Sequence, residues 1–303
     1  MNTRLPNFLI VGAAKAGTTS LYYYLREHPE IYLSDIKELR FFSNMEGNFQ
    51  GPGDENVNKS VSKSIDEYES FFEKINGEKA IGDISPDYLY YFKNSIDNIK
   101  NFLLNPKIII VLRNPIDRAF SQYLHFTRDG RETLSFEKAL KLENRRKELN
   151  WEWAWFYKDV GLYYNQVKAY LENFENVKIY LYDDLMNNRL GVVQDIYRFL
   201  EVDDNFVPES LNEKFNVSGI PKNRFLHEFL SKDSLVKKLI RPVVRTVMPD
   251  REKRQKLINK IMQKNLKKPK MKPETREYLK QFYKEDILKL QDLINRDLSH
   301  WLE

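Results

Sequence analysis

Cysteine is absent from the 303 residues. Disulfides, thiolate metal sites and a cysteine nucleophile are thereby excluded. Histidine is scarce, and the four present, at 28, 125, 227 and 300, include no two at metal-ligand spacing. Long apolar runs are missing too: no stretch approaches the roughly 18–20 residues that span a bilayer. The apolar stretch nearest the N-terminus, Phe8 to Ala14, is too short for a signal sequence and runs into Lys15, with no small-residue cleavage pattern after it. It reads as a buried strand. These absences lead to the expectation of a soluble, cytoplasmic protein whose chemistry needs no transition metal.

What is present suffices for a core: 42% of residues are hydrophobic and 14% aromatic, enough for one large domain or two small ones. The net charge of +5 is unevenly placed. Segment 221–272 holds 17 Lys and Arg against four acids, a net of +13, which leaves −8 for the remainder. Such a segment is either the solvated side of ordinary helices or a surface for polyanions or a membrane.

Asn7-Phe-Leu-Ile-Val-Gly12 is a short apolar run ending in glycine. After the loop Ala13-Ala-Lys-Ala-Gly17, residues Leu21, Tyr24 and Leu25 fall at helical spacing until His28-Pro29. Lys107-Ile-Ile-Ile-Val-Leu112 is a second continuous apolar run, broken at Arg113-Asn-Pro115 and followed by a helix over 116–126. Val177-Lys-Ile-Tyr-Leu-Tyr182 is a third, with Asp183-Asp184 and a helix to Leu200 behind it. Lys79-Ala-Ile-Gly82 is a weaker fourth. Residues 135–146 and 162–174 read as helices, and 47–64 as a mobile loop or insertion. Strands apolar on both faces that alternate with helices predict an α/β fold with a parallel sheet. The organisation expected is one domain, with a nucleotide-binding core over 5–220 and a helical, basic C-terminal region over 221–303.

Gly12-Ala-Ala-Lys15-Ala-Gly17-Thr18-Thr19 carries the most chemistry. A glycine-bounded loop between a buried strand and a helix aims backbone N–H groups and the helix dipole at one point, which suits an anion. The G-x4-G spacing is that of a nucleotide phosphate loop, yet the lysine is displaced. An NTPase loop has lysine directly after the second glycine, where this chain has Thr18. Lys15 lies inside the loop, placed for the bridging oxygen of a shorter anion.

In these residues the chain resembles the family of sulfotransferases that use 3′-phosphoadenosine 5′-phosphosulfate (PAPS), in particular its bacterial and glycan-acting members. Lys15-Ala-Gly-Thr-Thr-Ser-Leu21 is similar to the family's 5′-phosphosulfate loop. The resemblance implies that Lys15, Ala16, Gly17, Thr18, Thr19 and Ser20 bind the 5′ group, with Lys15 stabilising the departing phosphate. It also implies a P-loop-like three-layer fold, a central parallel sheet flanked by helices, with PAPS as donor, PAP as product and no metal.

Arg113 follows the second strand directly and Ser121 comes eight residues later. A parallel sheet brings its strand ends to one edge, so this guanidinium and hydroxyl can bind a second phosphate there; Arg113 could instead pair with Asp117 or Asp83. Leu112-Arg-Asn-Pro-Ile-Asp-Arg-Ala-Phe-Ser121 is similar to the family's 3′-phosphate element. Gly161-Leu-Tyr163 and the ending Arg296-Asp-Leu-Ser-His-Trp301 also resemble family motifs. Asn216-Val-Ser-Gly-Ile-Pro-Lys222-Asn-Arg224 resembles the loop that closes over the nucleotide, where Lys222 and Arg224 either add charge or lie on the surface.

Transfer to a hydroxyl requires a proton acceptor. Lys37-Glu38-Leu-Arg-Phe41-Phe42 resembles the family element in which the glutamate is the base, which makes Glu38 the first candidate. Asp83, in Gly82-Asp-Ile-Ser-Pro-Asp-Tyr88, is the second. Ile84 stands where glycosaminoglycan-acting members carry lysine, which weakens a heparan-like acceptor. Trp151, Trp153, Trp155, Phe156 and Tyr157 either line an acceptor pocket or form core. The function expected is sulfuryl transfer from PAPS to a hydroxyl or amine, on a carbohydrate or other small alcohol. The rivals are a phosphate-loop kinase, with Asp183-Asp184 as its metal-binding acids, and a basic protein binding nucleic acid or a membrane surface through 221–272. Neither rival accounts for both phosphate motifs, so no nucleic-acid partner is expected; oligomeric state is left open.

Overall fold

The apolar runs at 8–11 and 108–112 have no alternating polar positions, so each requires cover on both faces. In the computed structural model of the chain they are neighbouring parallel strands, with each of these residues buried. The structure describes residues 5–213, 219–223, 226, 261 and 264–303. These belong to two compact units: 5–123, 134–213 and 272–303 form the first, and 124–133 with the described part of 217–271 form the second.

In chain order the elements are β1 (Phe8–Gly12), α1 (Thr18–Arg26), β2 (Ile31–Leu33), α2 (Glu55–Ser60), α3 (Ile65–Ser70), β3 (Ala80–Ile84), α4 (Asp87–Tyr90) and α5 (Phe92–Phe102). Then come β4 (Lys107–Leu112), α6 (Pro115–Arg128), α7 (Phe136–Lys141), α8 (Glu143–Glu148), α9 (Tyr163–Asn173), β5 (Val177–Leu181), α10 (Tyr182–Asn187), α11 (Arg189–Leu200) and α12 (Pro273–Ile294). The five strands form one sheet in the order β2-β3-β1-β4-β5, parallel throughout. This is the expected P-loop-like α/β fold, with helices flanking a parallel sheet.

The order explains where a ligand can sit. From β1 the chain moves outward to β2 and β3, then crosses to β4 on the other side of β1. The carboxyl ends of β1 and β4 therefore flank the topological switch point, where open α/β sheets bind their ligands. In register, Ile10 pairs with Ile84 of β3 and Leu112 of β4 pairs with Leu181 of β5. The segments that follow the strands at Ala13, Ser85, Arg113 and Tyr182 thus start from one edge.

Several sequence readings need amendment. Strand β2 has only three residues, too few for a periodicity to announce it. The helix read over 135–146 is two, Phe136–Lys141 and Glu143–Glu148, and that leading to Leu200 breaks at Asn188, whose side chain caps α11 through Gly191 N–H. Residues 47–64 do not form a featureless loop. They contain α2 and are pinned by the fully buried Asp54, whose carboxylate accepts from Gly51 N at 2.8 Å, Glu152 N at 2.9 Å and Trp155 Nε1 at 2.9 Å. The aromatic cluster beyond it is core. Trp153, Trp155, Phe156 and Tyr157 are buried, and the Arg146 guanidinium lies over the rings of Trp151, Trp155 and Tyr157 at 5.1, 4.8 and 5.6 Å.

In the second unit Ile220–Pro221 pairs antiparallel with Leu266–Lys267. The Lys222 ammonium donates to the Lys264 carbonyl at 3.0 Å. Arg224 and most of the basic segment 221–272 lie outside the described residues.

Candidate active site

The phosphate loop is shaped by a glycine at each end. A Cβ on Gly12 would lie 2.5 Å from the Cβ of Leu89 on α4, so a side chain there would push α4 off β1. Gly17 has φ 97°, in the left-handed region, and Lys15 is left-handed too at φ 68°. Between them the loop is tied to the sheet by Ala13 N to Val111 O at 2.7 Å and closed on itself by Ala16 N to Ala13 O at 3.2 Å. Helix α1 starts at Thr18 with no side-chain cap, and its first intrahelical bond is from Leu21 N to Gly17 O. The N–H groups of Thr18, Thr19 and Ser20 therefore head the helix in the way an anion-binding terminus requires. Thr18 is buried, while Lys15, Thr19 and Ser20 are half-buried.

Arg113 is tied to this loop. Its Nη1 donates to the Lys15 carbonyl at 2.9 Å, and its guanidinium lies over the Tyr182 ring with 4.6 Å to the centroid. Neither alternative partner for Arg113 holds. Asp117 pairs with Arg276 at 2.9 Å, and Asp83 is enclosed by hydroxyls. Ser121 lies buried two turns along α6, and Tyr163 is fully buried beside Arg113 and Arg118. Burial pushes the Tyr163 phenol up to about 12, against the pull of the two cations. Asn114 extends the frame by donating to the Trp301 carbonyl at 3.1 Å, which packs the ending motif beside the end of β4.

The loop that carries Glu38 leaves β2 and returns toward β3. Glu38 and Arg40 have φ 72° and 58°, left-handed conformations that cost non-glycine residues on the order of 1–3 kcal/mol each. They are held by Arg40 N on Ser85 Oγ at 3.2 Å and Phe41 N on the Tyr88 hydroxyl at 3.1 Å. The Glu38 carboxylate accepts from Lys37 Nζ at 2.9 Å on one oxygen and from Arg40 Nη2 at 2.5 Å on the other. Burial pushes this carboxyl up, but the two cations outweigh burial and hold it well below the usual carboxylate range.

Asp83 is differently placed. It is buried, and its oxygens accept from Ser85 Oγ at 2.9 Å, Tyr88 OH at 2.6 Å and Tyr68 OH at 3.1 Å. Burial raises its pKa while these hydroxyls pull it back. Its acceptor positions are engaged in fixing Tyr88 and Ser85, the groups that hold the Arg40–Phe41 backbone. Asp87 and Arg40, which sequence reasoning did not single out, belong to the same corner. Asp87 is fully buried and Arg40 is mostly so, and each acts on the other's charge.

Asp183 and Asp184, the acids a kinase would use, are engaged elsewhere. Asp184 accepts from Leu181 N at 3.0 Å and pairs with Arg296 at 2.9 Å, and Asp183 faces His300 at 3.3 Å.

This arrangement has known counterparts. Residues 5–292 match the family model described as the sulfotransferase domain. A solved sulfotransferase from Alicyclobacillus acidocaldarius is 36% identical, with 99% of each chain covered and a TM-score of 0.77. The membrane-associated sulfotransferase kil1 of Dictyostelium discoideum is 34% identical over 126 residues, which is 41% of this chain and 23% of that protein. The bifunctional heparan sulfate N-deacetylase/N-sulfotransferase 2 of Bos taurus is 35% identical over 134 residues, 40% of this chain and 13% of that one. The chain thus spans less than a quarter of the length of these two relatives. It belongs to the sulfotransferase family.

Proposed function

We propose that the protein moves the sulfuryl group of PAPS to a hydroxyl or amine of a carbohydrate or other small alcohol, with Glu38 as the base. The observation that carries this reading is the loop–arginine clasp. An anion-binding loop with an internal lysine and an arginine at the next strand end share one edge, joined from Arg113 Nη1 to Lys15 O at 2.9 Å. The loop N–H groups fit the 5′ group, and Arg113 with Ser121 fits the 3′-phosphate. Lys15 neutralises the oxygen that departs as the bond from sulfur to the phosphate oxygen breaks. The acceptor oxygen or nitrogen bonds to sulfur in line, and its proton passes to Glu38. Catalysis rests on positioning and charge stabilisation. Asp83 serves as a positioning residue through Tyr88 and Ser85. Lys222 and Arg224 are proposed to add positive charge at the 3′-phosphate. The heparan sulfate relative supports a carbohydrate acceptor, while Ile84, where glycosaminoglycan-acting members carry lysine, weakens a heparan-like one.

The test is acceptor-dependent release of PAP from PAPS over a panel of sugars, amino sugars and simple alcohols. A hit that disappears in Glu38→Gln supports the assignment. Release of PAP with every acceptor unchanged in Glu38→Gln removes Glu38 as the base.

A further inference from the structure

Glu38 is engaged in a way that conflicts with its proposed task. A general base needs an oxygen within reach of the acceptor proton, yet one Glu38 oxygen holds Lys37 and the other holds Arg40. Something must take a cation away. Arg40 is the candidate to leave, because only its Nη2 is engaged: Nε and Nη1 are buried with no hydrogen-bond partner among the described residues.

Asp87 has the complementary lack. It is fully buried, and neither carboxylate oxygen has a hydrogen-bond partner among the described residues. The Ser43 hydroxyl, which donates to the Arg40 carbonyl at 3.0 Å, also lies near enough to Asp87 to lower its pKa. The groups whose charge couples to Asp87 are Arg40, Glu38 and the phenols of Tyr88, Tyr91 and Tyr170, so Arg40 is the cation facing it. Arg40 feels the charge of Glu152 as well as that of Asp87, but Asp87 is the one of these two buried carboxylates with both oxygens unengaged, which makes it the complement of the open guanidinium edge.

We propose that Asp87 is a second seat for the Arg40 guanidinium, a positioning residue that draws Arg40 off Glu38 and frees the base oxygen for the acceptor proton. The proposal rests on the reading of Glu38 as the base. Burial sets the Asp87 carboxyl near 7, against the pull of Arg40. Protonated Asp87 cannot hold Arg40, so the exchange is sensitive near neutral pH.

The direct test is a crystal structure of Glu38→Gln. With the competing carboxylate gone, Arg40 Nε and Nη1 are expected on the two Asp87 oxygens; an Arg40 that stays off Asp87 overturns the proposal. The functional test follows PAP released from PAPS with water as acceptor, between pH 5.5 and 8.5, with PAP affinity as the control for folding and donor binding. Glu38→Gln is expected to lose on the order of 100-fold or more at every pH, the usual worth of a general base. Asp87→Asn is expected to lose at least about 10-fold in kcat at unchanged KM and PAP affinity and to lose the ionisation near pH 7, whereas Asp87→Glu recovers both. Asp87→Asn with wild-type kcat and pH profile, beside an inactive Glu38→Gln, overturns the role of Asp87 alone. Turnover by Glu38→Gln at the wild-type rate overturns the base assignment and the proposal with it.

Discussion

Arg113 Nη1 donates to the Lys15 carbonyl oxygen at 2.9 Å, across 98 residues of sequence and from the end of one central strand to the loop after its neighbour. In the proposed donor site this one guanidinium fixes the loop for the 5′ group and serves the 3′-phosphate as well. Its face rests on Tyr182, the residue after β5. Three strand ends are tied together at the site proposed to distinguish a nucleotide with two separated phosphates from one with a single chain of them.

Removal of that guanidinium should damage PAP binding far more than binding of 5′-AMP. Charge-assisted hydrogen bonds contribute about 1.5–3 kcal/mol each, so the loss of two predicts PAP affinity down about 100-fold or more in Arg113→Ala. Binding of 5′-AMP should fall less than about 10-fold. Calorimetric titration of both ligands checks this, and equal losses contradict it.

Lys15→Met keeps the aliphatic stem and removes the charge. Groups aimed at developing transition-state charge commonly account for about 100- to 1000-fold in rate. The variant should therefore lose turnover on that scale while its PAP affinity changes by less than about 10-fold. Single-turnover release of PAP separates the two effects.

Gly17→Ala tests the shape of the loop. Alanine at φ 97° is strained, and its Cβ would lie 2.8 Å from Leu185 Cδ2. The combined cost is about 1–3 kcal/mol, which predicts a melting temperature lower by several degrees, together with weakened PAP binding. An unchanged melting temperature contradicts the conformation assigned to the loop.

Asp87 gives a pH dependence with a definite sign. Burial pushes its pKa up to about 7, above the ordinary aspartate value of 3.8, so the folded state binds a proton that the unfolded state has released. Its favourable contribution is present below about pH 4 and is lost as pH rises through about 7. At about 1.4 kcal/mol per pH unit, the penalty at pH 8 is on the order of 4 kcal/mol. Asp87→Asn should therefore raise the melting temperature more at pH 8 than at pH 5. The reverse order contradicts an unpaired carboxylate.

Much of this was legible in the sequence because it is local. Continuous apolar runs announced β1 and β4, the mixed run at 177–181 announced β5, and the strand–loop–helix pattern announced the turn between Gly12 and Gly17 that is proposed to hold the 5′ group. A parallel sheet alone puts Arg113 on the same edge. What stayed hidden arises between distant segments. The three-residue β2 has no period to detect, and the Asp54 contacts that order residues 47–64 come from Glu152 and Trp155, about a hundred positions on. Gly82-Asp-Ile-Ser-Pro-Asp-Tyr88 offers two aspartates with the same local chemistry. Burial among Tyr68, Tyr88 and Ser85 makes Asp83 a fixed acceptor, and only the return of the Glu38 loop places Asp87 opposite Arg40.

The most direct test of the account is a metal-free thermal-shift comparison of PAP, 5′-AMP and Mg-ATP on the wild-type protein. At a ligand concentration 100 times Kd, native-state binding adds about 2.7 kcal/mol, roughly 5–10 °C for a domain of this size. The account predicts that shift with PAP, a smaller one with 5′-AMP and loss of the PAP shift in Arg113→Ala. A shift with Mg-ATP and none with PAP would contradict it and return the site to a nucleoside triphosphate.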